Sequence, residues 1–241
     1  KEIDYRFLVN KKEWPIVAST TADYDIIFIS YHEPNADLNF KKLSQHYPRA
    51  KRIHGIKGIH NAHIEAAKIS DTNMFWVVDG DAIINDDFKF EFEVSRYDRD
   101  IVYAWKSQNP LNNLVYGYGG VKLLPKNLTL KMDTNSADMT TAISDKFTIV
   151  DQVSNITAFN TDPFNTWKSA FRECVKLASK TIQGQIDRET DDRLNIWCTV
   201  VDGDFAIHAL RGANAGRIYG QENAANPAAL SMINDFEWLE Q

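Results

Sequence analysis

Two pairs of carboxylates are the first residues in this chain whose spacing suggests chemistry. Asp79 and Asp81 flank Gly80 in "WVVDGDAII", and Asp202 and Asp204 flank Gly203 in "TVVDGDFAI". In extended chain, residues two apart project to the same side, so each pair can face one hard cation. Carboxylate oxygens suit Mg²⁺ or Mn²⁺, and an intervening glycine leaves room for a bulky anion. The same tripeptide is also compatible with a plain turn or a helix cap, so the flanking elements must decide.

The first pair follows a strand pattern. "YDIIFIS" (24–30) and "MFWVV" (74–78) are short apolar runs of the kind a strand buried on both faces requires. Between them, residues 35–45 are amphipathic, "AKRIHGI" offers a short strand, and Ile59, Ala62, Ala66 and Ile69 mark one helix face. This β-α-β-α-β order implies an α/β sheet whose ligands bind beyond the carboxyl ends of the strands, where Asp79 and Asp81 arrive. Later, "FKFEFEV" alternates like a half-exposed antiparallel strand, "DIVYAW" reads as another, and 128–148 gives little signal. The last third is helical. Asp162-Pro163 starts one helix as N-cap and first residue, and Phe164, Trp167, Phe171, Cys174 and Ala178 form its apolar stripe. Further helices are expected over 188–198, from Asp202 through Ile218, and near "PAALSMINDFEWL". No linker divides the chain, so a single domain over 1–241 is expected.

The second pair lies between helical patterns. There Asp202 or Asp204 can cap the following helix, accepting from its unpaired amides, and no metal is needed.

Composition narrows the class. With 241 residues, 44% of them hydrophobic, the chain can bury a sizeable core, and no apolar run reaches membrane-spanning length. Cys174 and Cys198 sit on apolar helical patterns and read as buried thiols of a reducing, cytoplasmic compartment. The net charge of −6 argues against an all-over nucleic-acid coat. Yet residues 41–60 carry Lys41, Lys42, Arg49, Lys51, Arg52 and Lys57 with no acid, which is either a solvated face or a phosphate-binding surface. Asn127 and Asn155 match the glycosylation sequon, which matters only in a secretory setting.

The stretch "KGIHNAHIEAAKISDTNMFWVVDGDAII", a buried strand ending in Asp-x-Asp, resembles the GT-A class of nucleotide-sugar glycosyltransferases. The resemblance covers about the first half of the chain. "NPLNNLVYGYGGVKLLPK" and "TAFNTDPFNTWKSAFREC" more faintly resemble glycosyltransferase-like proteins of tailed bacteriophages. The resemblance implies a single GT-A-like domain, with a mixed, mostly parallel sheet flanked by helices and a helical C-terminal third. It implies a Mn²⁺ or Mg²⁺ ion on Asp79 and Asp81, with His208 in the place of a third ligand. Ser30 and Tyr31 would lie by the nucleotide base, and Lys57 and Asn61 by ribose and phosphate, with Arg52 as an added cation. The fainter resemblance implies host cytoplasm and an acceptor in hydroxymethylated phage DNA, although the well-known phage DNA glucosyltransferases have a different, two-domain architecture.

The remaining chemistry comes from the residues. Acceptor activation needs a base, for which Asp151, Asp191 and Asp192 are candidates, whereas Asp162 is explained as a cap. Trp105, Tyr116, Tyr118 and Trp167 could stack on a sugar or base; Tyr116 and Tyr118 are favoured because Gly117, Gly119 and Gly120 allow close backbone approach. Trp167 fits the core stripe. A sugar-phosphate nucleotidyltransferase, a non-catalytic nucleic-acid-binding module and a secretory glycosyltransferase domain stay open as alternatives. The oligomeric state is not legible.

Overall fold

The computed structural model describes residues 23–117, 119–136, 138–181 and 187–241. The two apolar runs are β1 (Asp25–Ser30) and β3 (Met74–Asp79). Ile27, Phe28, Phe75, Trp76, Val77 and Val78 are fully buried, as expected for strands covered on both faces. α1 (Ala36–His46) leads from β1 to β2 (Lys51–His54), and α2 (Ile59–Ile69) leads from β2 to β3. β1 pairs in parallel with β2 on one side and with β3 on the other. The chain thus reverses its travel across the sheet at β1, which opens a crevice between the carboxyl ends of β1 and β3.

Beyond β3 the sheet is mixed. Its order is β2-β1-β3-β7-β5-β8-β4, with the short β6 (Val115–Tyr116) on β5. β7 (Val121–Pro125) runs antiparallel to β3 and to β5 (Val102–Gln108). β8 (Phe147–Thr157) is parallel to β5, and the edge strand β4 (Ala82–Ile84) is antiparallel to β8. The fold class is therefore α/β with a mixed sheet, parallel pairing being confined to β2-β1-β3 and β5-β8.

Two segments differ from expectation. "FKFEFEV" alternates as predicted, with Phe88, Phe90 and Val94 buried and Lys89, Glu91 and Glu93 exposed, but it joins no strand. Its rings pack on Trp76 and Trp105, which satisfies the apolar face without a backbone ladder. The poorly patterned stretch holds two short helices, α3 (Lys126–Thr129) and α4 (Met139–Ile143), the latter capped by Asp138, which accepts from Thr141 N.

The helical third begins with α5 (Pro163–Ser179), where Asp162 accepts from Asn165 N at 2.8 Å, as predicted. α6 (Asp187–Thr199), α7 (Ala206–Glu222), α8 (Pro227–Ser231), a 3-10 turn at Met232–Asn234 and α9 (Phe236–Leu239) follow. α7 approaches α5 along Gly212, Gly216 and Gly220. A β-carbon there would lie 2.3, 2.3 and 2.6 Å from the carbonyl oxygens of Trp167, Phe171 and Val175. Cys174 and Cys198 are free, buried thiols in the cluster between α5 and α6.

The expected cap on α7 is not formed. The helix is entered through Phe205 in the left-handed region (φ 60°), with no side-chain cap bond. Asp202 N is drawn to Leu111 O, and the carbonyls of Gly203 and Phe205 take the amides of Ala206 and His208. Backbone acceptors thus satisfy these entry amides, and Asp202 and Asp204 stay exposed. No described helix is long and apolar enough to cross a membrane.

Candidate functional site

The crevice between β1 and β3 has a tightly held floor. Gly80 backs onto Glu33, whose Oε2 would lie 2.7 Å from a β-carbon at position 80, and the Ser30 β-carbon would be 3.1 Å away. A side chain there would have to displace the Glu33 carboxylate from the floor. Tyr31 N donates to Glu33 Oε2 at 2.7 Å, and Asn39 Nδ2 donates to Gly80 O at 3.0 Å. Asp79 N donates to Gly120 O, and Ala158 N donates to Asp81 O, so the Asp79–Asp81 turn is pinned from both flanks.

The two aspartates are not equivalent. Asp79 accepts from Lys122 Nζ at 2.9 and 3.0 Å, one contact to each carboxylate oxygen. Burial, and then the neighbouring charges of Asp79 and Glu33, push the Asp81 carboxyl up to about 7. Asp81 thus carries the charge that its surroundings leave uncompensated.

A cavity of about 170 Å³ lies over this turn, walled by α5 through Ser169, Arg172, Glu173 and Lys176. Lys168, Arg172 and Lys176 recur every four residues and so share one helix face. Burial and the neighbouring guanidinium of Arg172 hold the Lys168 ammonium below its usual range. Arg172 donates to Ile233 O at 2.8 Å and to Asn234 Oδ1 at 3.0 Å, and among the described residues it has no carboxylate partner. Cations on α5 therefore face carboxylates at the sheet edge.

Does this set suit the divalent ion that the resemblance implies? Among the described residues, no three or more His, Cys, Asp or Glu side chains form a ready metal cluster. Mg²⁺, however, is commonly held by one or two carboxylates plus substrate phosphates and water. Asp81 with Asp79 meets that requirement, and the excess negative charge beside Glu33 favours it. The residues fit an ion held chiefly by Asp81, because Lys122 already engages both oxygens of Asp79.

Of the other predicted residues, Gly119 and Gly120 line the cavity. Tyr116 stands behind its wall, donating from Oη to Glu173 Oε1 at 2.6 Å. Ser30 ends β1, accepting from Arg52 Nε at 2.9 Å and contacting His54 Nδ1. Tyr31 packs edge-on against Phe236, and Lys57 is paired with Glu237 at 2.7 Å at the surface, so the C-terminal segment contacts both. Asn61 is exposed and bonds back to Lys57 O.

Several candidates are not brought to the cavity. Asp151 lies on β8 rather than in a loop, exposed and ion-paired with Lys106. It sits where the β5–β8 register slips, which turns it outward. Asp191 and Asp192 are on the exposed face of α6, and His208 is on the first turn of α7. None of these three lines the cavity over the Asp79–Asp81 turn. Trp105 is core, Trp167 stacks on Phe171, and Tyr118 lies outside the described residues. Asn155 is fully buried and bonded to Ser107 and Ser154, which leaves no room for a glycan.

The basic run is largely neutralised in place. Arg49 pairs with Asp23, Lys51 with Asp25 and Asp71, Arg52 with Asp37, and Lys57 with Glu237.

Sequence reasoning missed Glu33, Lys122, Asp138, Arg172 and Glu173. Only the four-residue spacing of Lys168, Arg172 and Lys176, read against the apolar stripe, offered a signal for α5. No protein-family model matches the chain, and no curated protein matches it either.

Proposed function

We propose that this protein is a divalent-metal-dependent glycosyltransferase of the GT-A kind, moving a sugar from a nucleotide-sugar donor to an acceptor hydroxyl. The observation that carries this reading is the opposition of charges across one cavity. Carboxylates at a topological switch point face Arg172 on α5 across the cavity, and Lys168, one turn earlier, lies in the field of Glu33 and Asp81. The diphosphate of a nucleotide sugar would be held at the carboxylate turn through the ion, with Arg172 across the cavity from it.

Asp81 and Asp79 would hold Mn²⁺ or Mg²⁺, which supplies a fixed positive charge for the departing diphosphate. Lys122 orients Asp79 through both carboxylate oxygens. Arg172 and Lys168 add charge from the opposite wall, where burial makes each of them count for more than in water. Ser30 and Tyr31 border the crevice on the side of the nucleotide base.

An acceptor in hydroxymethylated phage DNA rests on the fainter resemblance alone. The local ion pairs of residues 49–57 give no support to a nucleic-acid surface there, and the reading as a DNA-binding module loses ground for the same reason.

The test is mass spectrometry of the protein with a panel of nucleotide sugars and Mn²⁺, against plain and hydroxymethylated DNA and simple sugar acceptors. Donor turnover that disappears in Asp81→Asn and on chelation is expected. No donor turnover with any nucleotide sugar, or release of pyrophosphate from a nucleoside triphosphate and a sugar phosphate, overturns the reading.

A further inference from the structure

We infer that Glu173 is the base that takes the proton from the acceptor hydroxyl, so that transfer inverts the anomeric centre; this rests on the glycosyltransferase reading above. Four carboxylates border the cavity: Asp79, Asp81, Asp138 and Glu173. Three of them are committed elsewhere. Asp79 holds Lys122 with both oxygens. Asp81 is the carboxylate set aside for the cation. Asp138 caps α4 through Thr141 N, accepts from the Thr140 hydroxyl and lies 3.7 Å from Lys176 Nζ, and these contacts hold its carboxyl below the usual range against the effect of burial.

Glu173 is different. Its Oε1 accepts from Tyr116 Oη at 2.6 Å, and Tyr116 Oη in turn accepts from Trp197 Nε1 at 3.0 Å. Oε2 has no hydrogen-bond or ion-pair partner among the described residues. A two-step chain from α6 through β6 thus fixes one oxygen and leaves the other unbonded among the described residues, on a side chain that lines the cavity. The Arg193 guanidinium lies over the Tyr116 ring, 4.8 Å from its centroid, which further restricts the phenol.

This wall is α5, whereas the leaving group is held at the β3 turn, so base and leaving group occupy different sides of the space that the sugar must fill. In the step, the acceptor O–H proton passes to Glu173 Oε2. The freed oxygen pair forms the new bond to the anomeric carbon. The bond from that carbon to the diphosphate oxygen breaks, and its electron pair leaves with the nucleoside diphosphate. Approach opposite to departure inverts the configuration. Tyr116 is a positioning residue, acting through Glu173.

The experiment compares wild type with Glu173→Gln and Tyr116→Phe. Glu173→Gln keeps the size of the side chain and its contact with Tyr116, and donor affinity measured by calorimetry reports whether the site has folded. The expected result is a fall in kcat of about 10²–10⁴-fold with unchanged donor Kd, and loss of the acidic limb of the kcat/KM profile. Tyr116→Phe should displace that limb while leaving donor Kd alone. Proton NMR of the product should show an inverted anomer. Transfer by Glu173→Gln at near wild-type rate, or a retained anomer, overturns the inference while leaving the glycosyltransferase reading intact. A wild type that binds and turns over no nucleotide sugar overturns both.

Discussion

Lys122 Nζ lies 2.9 Å from Asp79 Oδ1 and 3.0 Å from Asp79 Oδ2, on a strand lysine that is only 2% exposed. The first carboxylate of the candidate site is therefore part of the protein's own charge balance as well as of any ligand's. Asp79→Asn strands a buried ammonium and should cost on the order of 3 kcal/mol in the metal-free protein. Asp81→Asn removes a carboxylate that its neighbours repel and should cost nothing or stabilise. Urea unfolding of the two variants reads the contrast; equal destabilisation would mean that Lys122 does not discriminate between them.

A pH dependence follows for the metal-free protein. Burial and then the charges of Asp79 and Glu33 push the folded Asp81 carboxyl up to about 7, from an ordinary value of 3.8. The folded state binds this proton more tightly than the unfolded state does. Its contribution is therefore full below about pH 4 and is lost as pH rises through about 7. The stability difference between wild type and Asp81→Asn should shift toward the variant across that window. A flat difference from pH 4 to 8 refutes this. Saturating Mg²⁺ at pH 8 should raise the melting temperature of wild type and not that of the variant.

His63 behaves in the opposite sense. It is fully buried on α2, its Nδ1 lies 2.8 Å from Ile59 O, and Nε2 has no hydrogen-bond partner among the described residues. Burial, followed by the Lys122 charge, drives its pKa from 6.5 to about 3. Its contribution is present above pH 6.5 and is lost as pH falls toward 3, since only the unfolded chain takes up the proton. His63→Leu should remove that acid sensitivity, measured as a smaller loss of melting temperature between pH 7 and pH 4.

For Gly216, two effects point in opposite directions. Helix propensity favours Ala over Gly by about 1 kcal/mol. Packing opposes it, because the new β-carbon would meet the carbonyl oxygen of Phe171 at 2.3 Å. Overpacking of this kind costs about 1–3 kcal/mol, more where the obstacle is backbone. Gly216→Ala should therefore destabilise, and by displacing α5 it should also weaken donor binding. A stabilised variant would mean that the two helices can part without cost.

The legible parts of this molecule were those written in local patterns. Apolar runs marked β1 and β3, Asp162-Pro163 marked the start of α5, and the strand before Asp79 distinguished it from Asp202. What was missed is held together by distance in sequence. Lys122 reaches Asp79 across 43 residues, and Tyr116 reaches Glu173 across 57. A buried lysine within an apolar strand such as "VKLLP" looks like a surface residue until its partner is placed. The cap on α7 failed for a related reason. Leu111, ninety-one positions away, takes the amide of Asp202 and sets the turn, which no local window contains.

On the proposed reading, the C-terminal segment and a nucleotide would contend for the same groups. Phe236 touches Tyr31, Glu237 holds Lys57, and the carbonyl of Ile233 and side chain of Asn234 occupy Arg172. A ligand that needs these groups meets a tethered competitor whose effective concentration does not fall on dilution. Its measured affinity is therefore its intrinsic affinity reduced by the fraction of time the tail is seated.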